Sequence, residues 1–162
     1  MKKTFILVTL VAAGIATFVT ACTSTSANDD VAKKPLTNAQ LIKRGEYLVS
    51  AVGCDDCHSP KIMGPGEPEI IPELRFSGYP ATRPLQKADS NVVKSGWGLV
   101  GSDLTAWVGP WGMSFAANIS SDATGIGNWS YEQFKRAITQ GKYKGLETGR
   151  PLLPPMPWPQ FS

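Results

Sequence analysis

Apolar residues recur with helical spacing at Leu41, Leu48, Val49 and Val52, just after the polar run Thr37-Asn38-Ala39-Gln40. That run reads as a capping box, in which a Thr and a Gln side chain satisfy backbone groups at a helix start. The pattern predicts a helix from about Asn38 to Val52 that stops at Gly53, directly before Cys54. Ser130-Tyr131-Glu132-Gln133 repeats the capping signal, with Phe134, Ala137 and Ile138 on one face and Gly141 as the stop. A second helix of about three turns is expected there. From Ser59 to Asn128 no long periodic segment is found. The stretch "DSNVVKSGWGLV" admits a short turn of helix, and neither a convincing alternating strand nor an internal repeat can be read.

The N-terminus has a different pattern. In MKKTFILVTLVAAGIATFVTAC, Lys2 and Lys3 precede an uncharged apolar run from Phe5 to Val19, and small residues lead into Cys22. This is a secretory leader, too short and wrongly flanked for a membrane span. Val19-Thr20-Ala21-Cys22 resembles the bacterial lipobox, in which cleavage before Cys leaves its thiol for a diacylglycerol and its amine for a further acyl chain. Several acyl chains anchor a protein stably where one would not. The plainer alternative is an ordinary cleavage site with Cys22 a bystander. A free exposed thiol in an oxidising compartment is unusual, however, and this favours lipidation. The polar TSTSANDDVAKKP that follows suits a flexible tether. Thr23 after the cysteine, by resemblance to Gram-negative lipoproteins, favours the outer membrane. The expected organisation is thus a signal peptide over 1–21, a tether over 22–36 and a domain over 37–162, on the periplasmic side of a bacterial membrane.

At 162 residues and 42% apolar the chain is long enough for one compact domain and too short for two. Of its 16 Lys and Arg, Lys2 and Lys3 leave with the leader, so 14 remain against 13 Asp and Glu. The mature chain is nearly neutral, and a nucleic-acid partner has no electrostatic support. Its 16 Gly and 13 Pro gather between Pro60 and Gly127 and in the tail, which implies a loop-rich domain in need of a staple.

"VGCDDCHSP" holds two of the three cysteines and the only histidine. A structural zinc site needs about four protein ligands. Only Cys54, Cys57 and His58 are on offer, so zinc is disfavoured. A thioredoxin-like dithiol wants a strand-to-helix junction, and these flanks give a helix before the motif and a Pro- and Gly-rich loop after it. C-x-x-C-H is the attachment signature of a c-type haem. Sulfurs at i and i+3 add to the two vinyl groups on one porphyrin edge, and the following His reaches the iron from the same side. Cys54 and Cys57 are then consumed by thioethers and Cys22 by lipid, and the apolar haem faces supply the staple.

With one His in the chain, bis-histidine ligation within it is excluded, leaving Met, a less usual donor such as Lys, or an open sixth position. Met1 leaves with the leader, and Met63 lies five residues past His58, still on its side of the iron. Met113 and Met156 remain. Unligated Met usually packs a core, and Met113 keeps that reading. Pro154, Pro155 and Pro157 hold the backbone around Met156 extended, so a rigid loop presents its sulfur at little further entropy cost. Trp97, Trp107, Trp111, Trp129 and Trp158 are read as core or haem-packing residues. Arg75, Arg83 and Arg150 are possible propionate partners, with solvated loop arginines as the default.

The stretches "CDDCHSPK", "GPWGMSFAANISSDATGIGNWSYEQFKRAITQGK" and "LLPPMPWPQFS" together resemble a mono-haem class I cytochrome c. They are similar in particular to the haem domains in cytochrome subunits of membrane-bound alcohol and aldehyde dehydrogenases. The resemblance runs from about Leu41 to the last residue. It implies an all-α cytochrome c fold with long Gly/Pro-rich loops around one covalent haem c, attachment at Cys54 and Cys57, and His58 and Met156 as axial ligands. It further implies that the segment from Asn118 to Trp129 packs as a loop near the haem. In that family a C-terminal helix follows the Met loop and crosses the first helix near the position of Gly45. This chain stops six residues after Met156, so it reads either as a fragment of a longer product or, if complete, as a domain without that helix, its Leu48/Val49 face exposed or covered by something else.

The leading function is a lipid-anchored periplasmic carrier of single electrons between a protein donor and acceptor. The alternative is a peroxidase-like haem enzyme or gas sensor with an open or labile sixth site. A third reading is a subunit that works only when docked in a dehydrogenase or oxidase complex.

Overall fold

Gly53 separates the first two helices. It adopts φ 73°, ψ 30°, a left-handed conformation that ends a helix at little cost only without a Cβ. A Cβ there would come 2.8 Å from Asp56 Oδ2. Before it runs α1 (Asn38–Ala51), after it α2 (Cys54–His58), so the expected first helix is present and ends one residue early. The computed structural model describes residues 35–162. The leader, most of the tether and Cys22, with its expected lipid, lie outside the described residues. The chain divides at Asn38/Ala39, and the unit Ala39–Ser162 carries everything discussed below. No helix among the described residues is long and apolar enough to cross a membrane.

After α2 come β1 (Lys61–Met63) and β2 (Pro68–Ile70), an antiparallel pair in the register Lys61↔Ile70 and Met63↔Pro68. A short helix α3 (Ser90–Lys94) follows, its Asn91 N–H capped by the Asp89 carboxylate at 2.8 Å. This is the turn expected in "DSNVVKSGWGLV". Then β3 (Leu99–Val100), β4 (Ala106–Gly109) and β5 (Gly112–Phe115) form a three-stranded antiparallel sheet in that order. The last helix, α4 (Tyr131–Gln140), starts at Ser130, whose hydroxyl accepts from Gln133 N, and stops at left-handed Gly141. Both ends match the sequence pattern.

The all-α expectation is therefore wrong: four helices share the described residues with two antiparallel sheets. The strands leave no alternation in the sequence because they are two to four residues long and bounded by glycine and proline. The β4–β5 hairpin shows why they form nonetheless. Gly109 and Gly112 pair across the two-residue turn Pro110-Trp111, with Gly112 at φ 94°, and Trp107↔Ser114 and Val108↔Met113 then fall opposite one another.

Among the described residues Ala137 is the only buried member of the Ala, Val, Leu, Ile, Met, Phe, Tyr and Trp set. Leu41, Leu48 and Val52 of the first amphipathic face are exposed and Val49 is half-buried. What lies deepest is polar or small: Ser59, Pro60 and Thr105. Specific polar contacts tie several of the loops together.

One such tie centres on Asp103. Burial works to raise its pKa, but hydrogen bonds from Arg83 and from the Thr105 hydroxyl and N–H outweigh it and hold the carboxyl below its ordinary value. The Arg83 guanidinium donates at 2.6 Å and the Thr105 hydroxyl at 2.8 Å. A lowered folded pKa means that stability is present above the ordinary carboxylate pKa and is lost as pH falls through the folded value. Arg83→Met should lower the unfolding free energy by about 2 kcal/mol, because it strands a buried carboxylate. Thermal melts across an acid series check both points: wild type should lose stability below pH ~4 more steeply than Asp103→Asn.

Candidate functional site

Cys54, Cys57 and His58 all lie on α2, a single short helix. Residues at i, i+3 and i+4 share one helical face, so the two sulfurs and the imidazole are presented together. Neither Cys54 nor Cys57 is in a disulfide. Burial raises both thiol pKa values; Asp55 and Asp56 add to this at Cys54, and Asp56 adds to it at Cys57 while Lys61 opposes it. Both are neutral thiols at physiological pH, the opposite of an activated thiolate. With a helix rather than a strand before the motif, the thioredoxin-like reading loses its support.

The imidazole is set by one hydrogen bond. His58 Nδ1 lies 2.7 Å from the Ala117 carbonyl oxygen. A carbonyl can only accept, so Nδ1 carries the proton and Nε2 keeps a free lone pair. Burial lowers the His58 pKa more than this bond raises it, so the ring is neutral. A neutral imidazole held through Nδ1 with Nε2 open is the form that binds a metal.

The helix is clamped from behind. Asp55, between the two cysteines and buried, takes a forked Arg75 guanidinium, with Nε at 3.0 Å from Oδ1. Ser59, fully buried, donates to Asp55 Oδ1 at 2.7 Å and accepts from Phe76 N at 2.9 Å. Lys61 donates to the carbonyls of Asp55, Asp56 and Ser59. Sequence reasoning missed this clamp. Arg75, expected as a propionate partner or a solvated loop arginine, pairs with Asp55. Arg83 is likewise engaged by Asp103, and Arg150 stacks over the Tyr143 ring with its guanidinium carbon 4.1 Å from the centroid.

Met156 lies nearly a hundred residues on, half-buried in the tail. The tail is anchored at several points. Leu152 N donates to Gly141 O at 2.7 Å, and the Ser114 hydroxyl donates to Pro154 O at 2.6 Å. Trp158, which opens a short 3-10 turn over Trp158–Phe161, lies against Gly141 so closely that any Cβ there would meet its ring. Ser114 in β5 therefore holds the tail, while Ala117, three residues on, holds His58. At most about 11 Å of chain separates these two anchors. One short stretch thus ties the motif helix and the Met156 loop to the same part of the fold.

The other methionines differ. Met63 is 67% exposed on β1, and Met113 lines a cleft of about 410 Å³ with Lys61, Tyr79, Arg83, Val108 and Phe115. That cleft's lining includes none of Cys54, Cys57, His58 or Met156. Residues 118–129 form the expected loop before α4, braced by Asn118 and Asp122 through Ser120 and Thr124. The tryptophans divide: Trp107 bonds Leu104 O at 2.8 Å, Trp129 is half-buried, and Trp97 is largely exposed.

Two neutral thiols and one oriented neutral imidazole on a single helix face are the donor set that C-x-x-C-H haem attachment requires. Among known proteins, the chain is similar to the gluconate 2-dehydrogenase cytochrome c subunit of Pantoea cypripedii, at 31% identity over 126 residues, 77% of this chain. It spans 20% of that relative's length. This similarity supports the resemblance read from the motifs, at the level of a cytochrome c in a dehydrogenase subunit. No family model matches the chain, and no solved structure matches it.

Proposed function

We propose that the chain is a c-type cytochrome that passes single electrons between protein redox partners. Haem c would be held by the Cys54 and Cys57 thiols, with the His58 imidazole and the Met156 thioether as its iron donors. The observation that carries this reading is the His58–Ala117 hydrogen bond of 2.7 Å, which leaves the Nε2 lone pair free on a helix that also carries Cys54 and Cys57. Each thiol would form its thioether by addition of S–H across one vinyl C=C, a bond change that consumes no oxidant. Haem bound there supplies a one-electron Fe(III)/Fe(II) couple, and His/Met ligation favours the reduced state relative to two nitrogen ligands.

The chain's own residues do the rest. Ala117 fixes the imidazole tautomer, the Asp55–Arg75–Ser59 clamp holds α2, and Ser114 with Gly141 and Trp158 holds the Met156 loop. Similarity to a dehydrogenase cytochrome subunit supports a reduced dehydrogenase as the electron donor and membership of such a complex. Cys22 carries a lipid anchor on the periplasmic side, a reading supported by the Val19-Thr20-Ala21-Cys22 sequence. Fractionation tests the anchor: Cys22→Ala should move the protein from the membrane to the soluble fraction, and an unchanged distribution would refute it.

An optical redox titration of the haem-loaded protein tests the function. A single reversible one-electron transition with no peroxide turnover is expected. Rapid peroxide turnover instead would establish the haem-enzyme alternative.

A further inference from the structure

Lys61 is the first residue of β1 and half-buried, yet it takes part in none of the ion pairs among the described residues. Its ammonium is instead spent on backbone carbonyls: Asp56 O at 2.7 Å, Ser59 O at 2.9 Å, Asp55 O at 3.2 Å and Asp103 O at 3.3 Å. Three of these belong to α2 and its cap; Asp55 O also accepts from Ser59 N, and the ammonium serves the carbonyls of Asp56 and Ser59 at a helix end that favours a cation. The buried acids nearby have their own counter-ions, Asp55 in Arg75 and Asp103 in Arg83. Asp56, exposed on the same helix, is likewise in no ion pair among the described residues; of these two charges, that of Lys61 is the one pinned by hydrogen bonds beside the motif helix. It is felt there: it opposes the upward shift of the Cys57 thiol and helps to lower the Asp55 carboxyl.

We propose that Lys61 tunes the redox centre electrostatically: its ammonium, fixed on the last carbonyls of the Cys54–His58 helix, favours Fe(II) over Fe(III). The inference rests on the haem reading of this site. On gaining an electron the iron centre loses one unit of positive charge, so a fixed cation nearby stabilises the reduced form relative to the oxidised one. A lysine held by carbonyls cannot swing away, and at a half-buried position it is screened less than a surface charge. The hydrogen bonds of Lys61 run to backbone carbonyls of Asp55, Asp56, Ser59 and Asp103 and to no side chain of the motif, so it is a positioning residue and not a catalytic one.

The test is an optical redox titration, with chemical mediators, of haem-loaded wild type, Lys61→Arg, Lys61→Gln and Lys61→Met. Gln keeps donor hydrogens for the carbonyls and loses the charge; Arg keeps the charge. Poised at the wild-type midpoint, the reduced-to-oxidised ratio should stay near one in Lys61→Arg. In Lys61→Gln and Lys61→Met it should fall by roughly three- to tenfold, the order of effect of removing one nearby unit charge in a medium of intermediate dielectric. An unchanged ratio in Lys61→Gln with haem covalently attached overturns the proposal. So does a Lys61→Gln chain that takes up no haem while Lys61→Arg does, because Lys61 is then a structural residue. Failure of the underlying reading is distinguishable, since wild type itself would then carry no covalent haem.

Discussion

Met156→Ala holoprotein should lack the methionine-to-iron absorption at the red edge of the oxidised spectrum, and its ferrous form should bind carbon monoxide on mixing. Met113→Ala should keep the band and exclude carbon monoxide. The contrast rests on position. Met113 sits in β5 opposite Val108 and faces a cleft that contains no residue of the motif. Met156 sits in a tail fastened through Pro154 to Ser114, on the stretch that also holds His58 through Ala117. Removing a thioether from the iron leaves an open coordination position, and the change should be complete rather than graded. If Met113→Ala loses the band and Met156→Ala keeps it, the assignment of the axial pair is wrong.

Gly141→Val should have nearly as large an effect, although residue 141 is fifteen positions from Met156. Gly141 has φ 62°, a conformation costly for a β-branched residue, and any Cβ would meet the Trp158 ring. Its carbonyl also accepts the Leu152 N–H that starts the tail. Strain and the displaced indole together should cost about 2 to 4 kcal/mol. The tail would move as a unit, so a carbon-monoxide-binding fraction should appear in the ferrous protein along with a lower melting temperature. A Gly141→Val protein with wild-type melting and no carbon monoxide binding would show that Trp158 does not hold the loop.

The sequence made both long helices legible, because their starts and stops are chemical: Ser130 caps α4, and Gly53 and Gly141 end helices in left-handed conformations. It also showed the Cys54, Cys57 and His58 set, whose spacing is itself the signal. The strands were hidden, since β3 has two residues and β4–β5 is interrupted by Gly109, Pro110 and Gly112. The group that orients His58 was hidden for a deeper reason. It is a backbone carbonyl, at Ala117, and any residue type supplies one. Asp55 and Arg75, twenty residues apart, carried a weak hint: an acid between two cysteines destined for burial needs a cation, and a nearby loop arginine is the natural source.

The central claim, a haem covalently held by Cys54 and Cys57 over His58, is tested most directly by mass spectrometry. The chain should be expressed with a haem-attachment system, denatured, extracted with acidic organic solvent and digested. The peptide spanning residues 54–58 should retain the mass of one haem, and a Cys54→Ser, Cys57→Ser chain should retain none. A wild-type peptide that surrenders all its haem to the solvent would contradict the account.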